Sequence, residues 1–359
     1  MDGVTVQKVG STPAIGALSV LDLAVVENGS GIGRALHECI ELARAAEALG
    51  YRRFWVAEHH NMPGIASSAT AVLIGHIAAA TTAIRVGSGG IMLPNHAPLL
   101  VAEQFGTLEA LHPGRIDLGL GRAPGTDQVT ALALRRSREA VAADDFPQQL
   151  GELLAFFNGR FPETHPFRSI TAVPGYGDQP QIWLLGSSGF SAQLAGLLSL
   201  PFSFAHHFSA ANTLPALELY RSNFRPSDAM PEPHVMVAVS VICADTDEQA
   251  QYLAGPSRLA FVRLRSGRPG RLPSPEEAAG HEYSPSEQHI LNARTSGQIV
   301  GDPETVRAGL DALQRETQAD EVMVTAMIHG YGDRIRSYEL VADVAAHTML
   351  QASDSVVRD

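Results

Sequence analysis

Short apolar runs alternate with longer segments of helical periodicity along most of this chain. The first run, ALSVLDLAVV at residues 17–26, has the length of a β-strand and is followed by Gly and Ser. Leu36, Cys39 and Ala43 then recur at the spacing of one helix face. Gly50 stands where a left-handed C-cap would end that helix. The pattern therefore predicts a strand followed by an α-helix.

The same alternation continues to the end of the chain. Further apolar runs predict strands at 52–57, 83–92, 115–121, 181–186, 201–205, 234–243 and 321–328. Helical periodicity lies between them, at 67–81, from Pro98, at 128–158, 189–199, 211–224, 303–317 and from about 333. Strands this apolar, each followed by a helix, favour a parallel sheet covered on both faces. Eight such units predict an α/β fold of the (β/α)₈ TIM-barrel type rather than a doubly wound open sheet.

Two segments depart from the repeat. Residues 159–179 hold several Pro and Gly and little periodicity, and residues 255–292 are rich in Arg, Pro and Ser. Long irregular segments in compact domains are usually functional loops or lids, so both are predicted to be insertions. No linker divides the chain, which predicts a single domain over residues 1–359.

Composition narrows the class of partner. The net charge is −12, with 26 Lys and Arg against 38 Asp and Glu. This balance disfavours nucleic acid and anionic membranes and favours a small-molecule ligand. The uncharged tracts at 66–84 and 181–205 are interrupted by polar residues and by Pro201, so neither is predicted to span a membrane.

The cysteines and the N-terminus bear on the compartment. Cys39 and Cys243 are the only cysteines and are predicted to be buried in a reducing environment. The opening MDGVTVQKVGSTP has no basic stretch followed by an apolar one, so no secretory signal is predicted. We therefore expect a cytoplasmic protein.

The sequence YRRFWVAEHHN ends the second predicted strand on Glu58, His59 and His60. In a (β/α)₈ barrel the carboxyl ends of the strands carry the active site. Two interpretations are open: a structural cluster, with one imidazole bonded to a neighbouring carbonyl group, or a metal site. Because successive strand residues point to opposite faces, the two histidines are not expected to share one centre, and no metal is predicted.

Glycine marks the end of the third predicted strand. The run GSGG at residues 87–90 is unusual, because glycine weakens strands and often marks a bulge or the close approach of a ligand. The flat face of a ring could lie there.

A third candidate site combines the fourth and fifth strands. Arg122 follows the fourth strand, and GSSGFS at residues 186–191 leads from the fifth strand into a helix. An arginine, two hydroxyls, glycines and a helix N-terminus suit an anion such as a phosphate. The alternative is ordinary N-capping of the helix by Ser187 or Ser188. His206 follows the sixth strand at the same rim.

With these residues assembled, the chain resembles the bacterial luciferase-like family of flavin-dependent monooxygenases over essentially its whole length. The resemblance rests on LSVLDLAVV, GYRRFWVAEHHN, IRVGSGGIMLPNHAPLLVAEQFGTLEALHPGRIDLGLGR, LLGSSGFSAQLAG, and IVGDPETVRAGLDAL followed by DEVMVTAMI. It implies a (β/α)₈ barrel that binds FMN at the carboxyl ends of its strands, usually as reduced FMN with O₂, and often forms a homodimer.

The resemblance also assigns roles to residues. It implies that His59 lies beside the flavin and supports turnover, and that Gly89 and Gly90 form a cis peptide against the flavin ring. Phosphate-binding positions correspond to Arg122, Ser187 and Ser188. The predicted cofactor-binding set also includes Glu58 and Gly186. Gly121 stands where luciferase has a cysteine, which is a departure from the pattern.

The predicted function is a monooxygenase that uses reduced FMN and O₂ to oxidise a small organic substrate through a peroxyflavin. A separate flavin reductase would supply the reduced FMN. One alternative is hydride transfer with a deazaflavin coenzyme in the same barrel, and another is a non-catalytic flavin-binding protein. The substrate is not specified by the sequence, since apolar loops such as 161–176 admit aldehydes, ketones and polycyclic aromatics alike.

Overall fold

The structure is a computed structural model that describes residues 16–142, 144–292 and 297–356. Its described part holds nine parallel strands. They are β1 (Ala17–Asp22), β2 (Arg53–Val56), β3 (Arg85–Met92), β4 (Ile116–Gly121), β5 (Gln181–Gly186), β6 (Phe202–Ala205), β7 (Val235–Cys243), β8 (Gln298–Gly301) and β9 (Glu321–Thr325).

Eight of these strands close into a barrel, which confirms the predicted fold. The order β1, β2, β3, β4, β5, β6 continues to β7, since β6 pairs with β7, and β7 and β9 lead back to β1. The strand β8 stands outside the ring, and among the described residues it pairs with residues 240–243 of β7. It was not predicted, because a half-buried run of four residues gives too little periodicity to read.

Helices surround the barrel. They are α1 (Ile32–Ala48), α2 (Thr70–Ala80), α3 (Pro98–Leu111), α4 (Gln128–Arg135), α5 (Arg138–Ala142), α6 (Phe146–Asn158), α7 (Gly189–Leu197), α8 (His206–Ser209), α9 (Thr213–Asn223), α10 (Asp247–Arg265), α11 (Pro275–Ala279), α12 (Pro285–Asn292), α13 (Pro303–Thr317) and α14 (Tyr331–Val356). Most of them fill the place that the alternation predicted between two strands.

The long helix predicted over 128–158 is wrong, because three helices occupy that range. Asp127 caps α4 by accepting hydrogen bonds from the backbone N–H groups of Val129 and Thr130. Arg136, with φ of 67°, takes the left-handed conformation that ends this helix. Pro147 lies in the first turn of α6, where a proline is compatible with a helix start.

The two predicted insertions differ in outcome. Residues 159–179 form turns without a helix or strand, as predicted. The second insertion begins later than predicted, because 255–265 completes α10 with Pro256 inside the helix. The buried side chains of Leu253 and Ala254 belong to the same apolar core as β7, and α10 packs against β7 and β8. The excursion itself covers residues from 266 onward and contains α11 and α12.

The apolar core has two parts. The larger part packs between the outer face of the barrel and the helices. The smaller part fills the inside of the barrel with Leu21, Trp55, Ala57, Trp183, Met236, Ala238 and Met323. Cys39 and Cys243 are both buried, as predicted.

An ionic cluster closes the amino-terminal end of the barrel. Arg53 donates to Asp117 at 2.8 Å and to Glu321 at 3.0 Å. Trp55 Nε1 donates to the same carboxylate of Asp117 at 2.9 Å. Since these residues begin or nearly begin their strands, they form a floor that leaves the barrel accessible from the carboxyl ends of the strands. Over the described ranges, no helix combines the length and apolar character needed to cross a membrane.

Candidate active site

A cavity of about 260 Å³ opens at the carboxyl ends of the barrel strands. Its walls come from strands on every side of the barrel, with side chains that include Leu21, Ala57, Leu185, Ser203, Ala238 and Met323. Its roof comes from the end of α10 and the segment that follows, through Ala260, Phe261, Leu264, Pro269, Gly270 and Leu272. The cavity therefore lies where the barrel prediction placed the chemistry.

His59 lines this cavity. Its Nδ1 donates to the carbonyl oxygen of Gly125 at 3.3 Å, which leaves Nε2 as the acceptor in the neutral ring. Burial lowers the pKa of His59, although the hydrogen bond to Gly125 and the charge of Glu58 oppose this effect. The imidazole is therefore held neutral near pH 7, in the form that can accept a proton.

Glu58 forms the centre of a hydrogen-bonded cluster beside the cavity. Its buried carboxylate accepts from His60 Nε2 at 2.8 Å, from His96 Nε2 at 2.9 Å and from the backbone N–H of Met92 at 3.0 Å. Burial alone would raise the pKa of Glu58, but the hydrogen bond and charge of His96, with His60 and Met92, lower it. Glu58 does not line the cavity.

The two histidines of the Glu-His-His sequence turn to different surroundings, as the alternation predicted. His59 lines the cavity, whereas His60 bonds to Glu58. The role of His96 was not predicted, although it follows the third strand in the sequence PNH. In the described residues no group of three His, Cys, Asp or Glu side chains has an arrangement that could hold a metal ion.

The peptide bond between Gly89 and Gly90 is cis, as predicted. The register of β3 against β4 shifts between Gly89 and Ile91, and Gly89 lines the cavity. A Cβ at Gly90 would lie 2.6 Å from the carbonyl oxygen of Gly119, and one at Gly89 would lie 2.6 Å from Leu21 Cδ1. Only bare backbone fits here, so β3 presents a surface against which a flat ring could lie.

Glu58 also holds this part of β3 in place. Its backbone N–H donates to the carbonyl oxygen of Gly90 at 3.3 Å, while its carboxylate accepts from Met92. One bond lies within the irregular part of the strand, at Gly90, and the other lies directly after it, at Met92. Glu58 therefore acts on the cavity through the position of the glycine backbone.

Arg122 and the start of α7 come together, as the sequence suggested. The guanidinium carbon of Arg122 lies 4.2 Å from the ring centroid of Phe190, in the first turn of α7. Ser188 is the N-cap residue, but its side chain makes no capping hydrogen bond, so the capping alternative fails for Ser188. Both Ser187 and Ser188 are exposed. The backbone N–H groups of this helix end are thus available to an anion.

Gly186 and Asp144 also bear on the candidate anion site formed by Arg122 and the start of α7. A Cβ at Gly186 would lie 2.8 Å from Ser191 Cβ, so the turn before α7 is too tight for a side chain. Arg122 also lies 3.7 Å from Asp144, and both side chains are substantially exposed. The ion pair is therefore weak and can give way to a ligand.

His206 directly follows β6, as the sequence predicted. It does not line the cavity, and its Nδ1 bonds to the hydroxyl of Thr213 at 2.9 Å. The neighbouring His207 lines the cavity instead, and its Nδ1 donates to the carbonyl oxygen of Ala238 at 2.9 Å. The adjacent pair of histidines was visible in the sequence, but which of them faces inward depends on where β6 ends.

The environment of Gly121 explains the absence of a side chain there. A Cβ at this position would lie 2.9 Å from the sulfur of Met92. Met92 itself lines the cavity. The thioether of Met92 therefore occupies the space that a cysteine at position 121 would need.

Comparisons with known sequences agree with this geometry. A profile of the luciferase-like monooxygenase family matches residues 17–321. A luciferase-like monooxygenase of Escherichia coli strain K12 is 51% identical over 328 residues, which cover 91% of this chain and 96% of that protein. An N-acetyl-S-alkylcysteine monooxygenase of Bacillus subtilis strain 168 is 34% identical over 328 residues, or 91% of this chain and 97% of that protein.

Solved structures share the fold. Apo-MsnO8 has a TM-score of 0.83 and 38% identity, covering 92% of this chain and 98% of that chain. The oxygenating constituent of 3,6-diketocamphane monooxygenase from Pseudomonas putida, a type II Baeyer-Villiger monooxygenase in complex with FMN, has a TM-score of 0.68. At 21% identity, over 92% of this chain and 98% of that one, it shows the shared fold alone.

Proposed function

This chain belongs to the luciferase-like monooxygenase family, and from that premise we propose that it is a monooxygenase using reduced FMN and O₂ to oxidise a small organic substrate. The observation that carries the proposal is the cavity that both neutral His59 and the bare backbone of Gly89 line. The Bacillus subtilis relative named for an N-acetyl-S-alkylcysteine substrate supports oxygenation of a small molecule.

The residues of this chain fit FMN at two places. The glycine backbone of β3 would support the flavin ring, because Gly89 lines the cavity and carries no side chain that would hold a ring away from the backbone. The phosphate would bind at the start of α7 through Arg122, Ser187 and Ser188, with Gly186 keeping the turn tight. When bound, reduced FMN supplies two electrons, so that one atom of O₂ enters the substrate and the other leaves as water.

His59 is the proposed proton-handling residue. Its Nε2 can accept a proton from a reacting group in the cavity, because the Gly125 carbonyl fixes the donor at Nδ1. Glu58 supports the cofactor site through Gly90 and Met92. The apolar roof around Phe261 and Leu272 would limit the entry of water.

The assembly and supply of the enzyme are also inferred. We expect a separate flavin reductase to provide reduced FMN, and we expect a homodimer. Large apolar side chains are exposed on adjacent helices, with Val72 on α2 and Leu100 and Leu111 on α3, which supports association. The two free, buried cysteines are compatible with the reducing conditions of the cytoplasm.

The test is anaerobic titration of the purified protein with reduced FMN and, separately, with a reduced deazaflavin coenzyme. We expect reduced FMN to bind more tightly, and we expect admitted O₂ to be consumed with transfer of oxygen to an added substrate. Oxygen from ¹⁸O₂ should appear in the product. Binding of the deazaflavin alone, with hydride transfer in place of oxygen consumption, would contradict the proposal.

A further inference from the structure

The cavity has a lining without formal charge. None of its described lining residues is Asp, Glu, Lys or Arg, and its ionisable side chains are His59 and His207. Burial keeps His59 neutral by lowering its pKa. A carboxylate or sulfonate placed here would lose its hydration and find no lysine or arginine in the described wall.

The cations beneath the cavity are already paired. Arg53, which is 1% exposed, donates to the carboxylates of Asp117 and Glu321. Its guanidinium lies 4.8 Å from the ring centroid of Trp183. Trp55 and Trp183 precede the cavity residues Ala57 and Leu185 by two positions along their strands, so they lie between this cluster and the cavity. The floor therefore offers an anionic ligand no counter-ion.

The roof also turns its cations away. The helix α10 ends in a basic segment, yet the residues it contributes near that end are Ala260, Phe261 and Leu264. Arg263, between them in sequence, pairs with Glu277 at 2.7 Å and does not line the cavity. A helix with available arginines thus presents its apolar face to the ligand space.

Four of the six polar side chains that line the cavity cluster on one wall, whereas His59 and Ser257 lie elsewhere in the lining. Ser203 and His207 come from β6 and its end, Ser240 from β7, and Thr325 from β9. These three strands are neighbours, and Ser240 is directly opposite Thr325 in register. His207 donates through Nδ1 to the carbonyl oxygen of Ala238, and the hydroxyls of Ser203, Ser240 and Thr325 lie on the same wall. This wall can hydrogen-bond an uncharged polar group.

We propose that the substrate is an uncharged, largely apolar molecule with a hydrogen-bonding group that binds the wall formed by β6, β7 and β9. That wall faces β2 and β3 across the barrel, since β7 is four strands from β3. The substrate would therefore extend from the polar wall toward His59 and Gly89. The proposal rests on the proposed function for the identity of the site, but binding can be measured without turnover.

The test compares octanamide with octanoate, which have the same chain length and differ in charge at neutral pH. Their dissociation constants are measured by isothermal titration calorimetry on the full chain, with and without oxidised FMN. Octanoate should bind at least about a hundredfold more weakly, because an unpaired carboxylate is costly to bury. Equal affinities, tighter binding of octanoate, or no binding of octanamide would overturn the proposal.

Selection against charge can also be tested by placing a positive charge in the roof of the cavity. Leu264 is 40% exposed, so an arginine there can keep its head group at the water boundary while the chain folds normally. Leu264→Arg should raise the affinity for octanoate relative to that for octanamide about tenfold or more. Leu264→Gln, which is polar but neutral, should give no such gain. A gain in both variants, or in neither, would contradict selection by charge.

The outcomes separate this inference from the proposed function. Selective binding of octanamide in a protein that neither binds reduced FMN nor transfers oxygen would support the uncharged-ligand proposal and contradict the monooxygenase. Oxygen transfer to octanoate in preference to octanamide would support the monooxygenase and contradict the uncharged-ligand proposal.

Discussion

His59 stands in the cavity with its protonation state set by the fold. Its neighbour His60 is the same residue type but points in another direction. It bonds to Glu58 and does not line the cavity. The pair therefore allows a proton-handling role to be distinguished from a structural one within the same short segment.

His59→Asn should bind reduced FMN nearly as well as the parent and still consume O₂. The amount of product formed per O₂ should fall about 10²-fold, because a general acid or base is lost. Each O₂ that no longer gives product should appear as one molecule of hydrogen peroxide. The ratio of product to O₂ is measured together with FMN affinity. His60→Asn is the control and should mainly lower stability, since Glu58 loses a partner. An unchanged ratio of product to O₂ in the His59 variant would contradict the proton-handling role and show that this histidine only lines the cavity.

The coupling ratio should also depend on pH in a defined direction. Burial places the pKa of His59 below the usual 6.5, so the neutral form persists as the pH falls below that value. The stability gained from burying the neutral ring is fully present above pH 6.5 and is lost as the pH falls through the lowered pKa. Coupling should stay level near pH 6.5 and decline only in more acid solution. A decline centred at or above pH 6.5 would contradict a neutral buried His59.

At the scale of elements, the start of α7 shows how a helix becomes a binding site. The residue in the N-cap position is a serine, but the side chain of Ser188 leaves the first backbone N–H groups uncapped. Arg122 reaches the same turn from the end of β4 and packs on Phe190. Two barrel strands that are neighbours thus bring a cation and a helix terminus together.

Arg122→Gln should weaken FMN binding about tenfold to a hundredfold, as expected for a lost charge-assisted hydrogen bond. Riboflavin, which lacks the phosphate, should lose little affinity. Affinities for both flavins are measured in parallel by fluorescence quenching. Arg160→Gln removes the same charge from an exposed position after α6 and should leave both affinities unchanged. Equal losses for FMN and riboflavin in the Arg122 variant would show that this arginine supports the fold.

The same scale explains the errors in helix and loop prediction. Periodicity continued through 128–158 because α4, α5 and α6 are each helical, and only the left-handed Arg136 and the restart at Pro147 divide them.

Residues 159–179 and 255–292 were both predicted to be insertions of the kind that form functional loops or lids. Phe161 and Phe167 of the first segment pack on Phe156 of α6, whereas residues 257–272 of the second form the roof.

At the scale of the whole molecule, the closed barrel depends on its charged floor. Arg53 is buried between Asp117 and Glu321, and neither carboxylate is exposed to water. Burial alone would raise the pKa of Glu321, but His234, Arg53 and Ser19 together lower it. Removing Arg53 would take one charged partner from each of two buried carboxylates, although Asp117 would keep its ion pair with Arg85.

Arg53→Met should reduce the free energy of unfolding by about 3–5 kcal/mol, the usual cost of breaking a buried ionic cluster. The adjacent Arg52 is half exposed and lies 4.0 Å from Glu321, so Arg52→Met should cost less than about 1 kcal/mol. Urea denaturation followed by tryptophan fluorescence measures both. Similar losses in the two variants would show that burial of the ion cluster does not decide stability here.

The sequence by itself determined the barrel and the rim on which its chemistry lies. Apolar runs of strand length, each followed by helical periodicity, encode parallel strands through local preferences, and eight of them suffice to close a ring. The ends of the apolar runs also predicted where the strands end. This prediction placed one set of residues at the carboxyl-terminal rim of the barrel: Glu58, His59, Gly89, Gly90 and Arg122.

Tertiary structure alone decided which of these side chains meet in the cavity. His207 replaces His206, Glu58 turns to His60 and His96, and Met92 fills the space beside Gly121, because each outcome depends on where a strand ends and what packs across it. The uncharged lining is likewise invisible in a chain of net charge −12. Only closure of the barrel pairs its buried charges in the floor and turns the arginines of α10 away from the ligand space, since pairing and facing are relations between residues far apart in sequence.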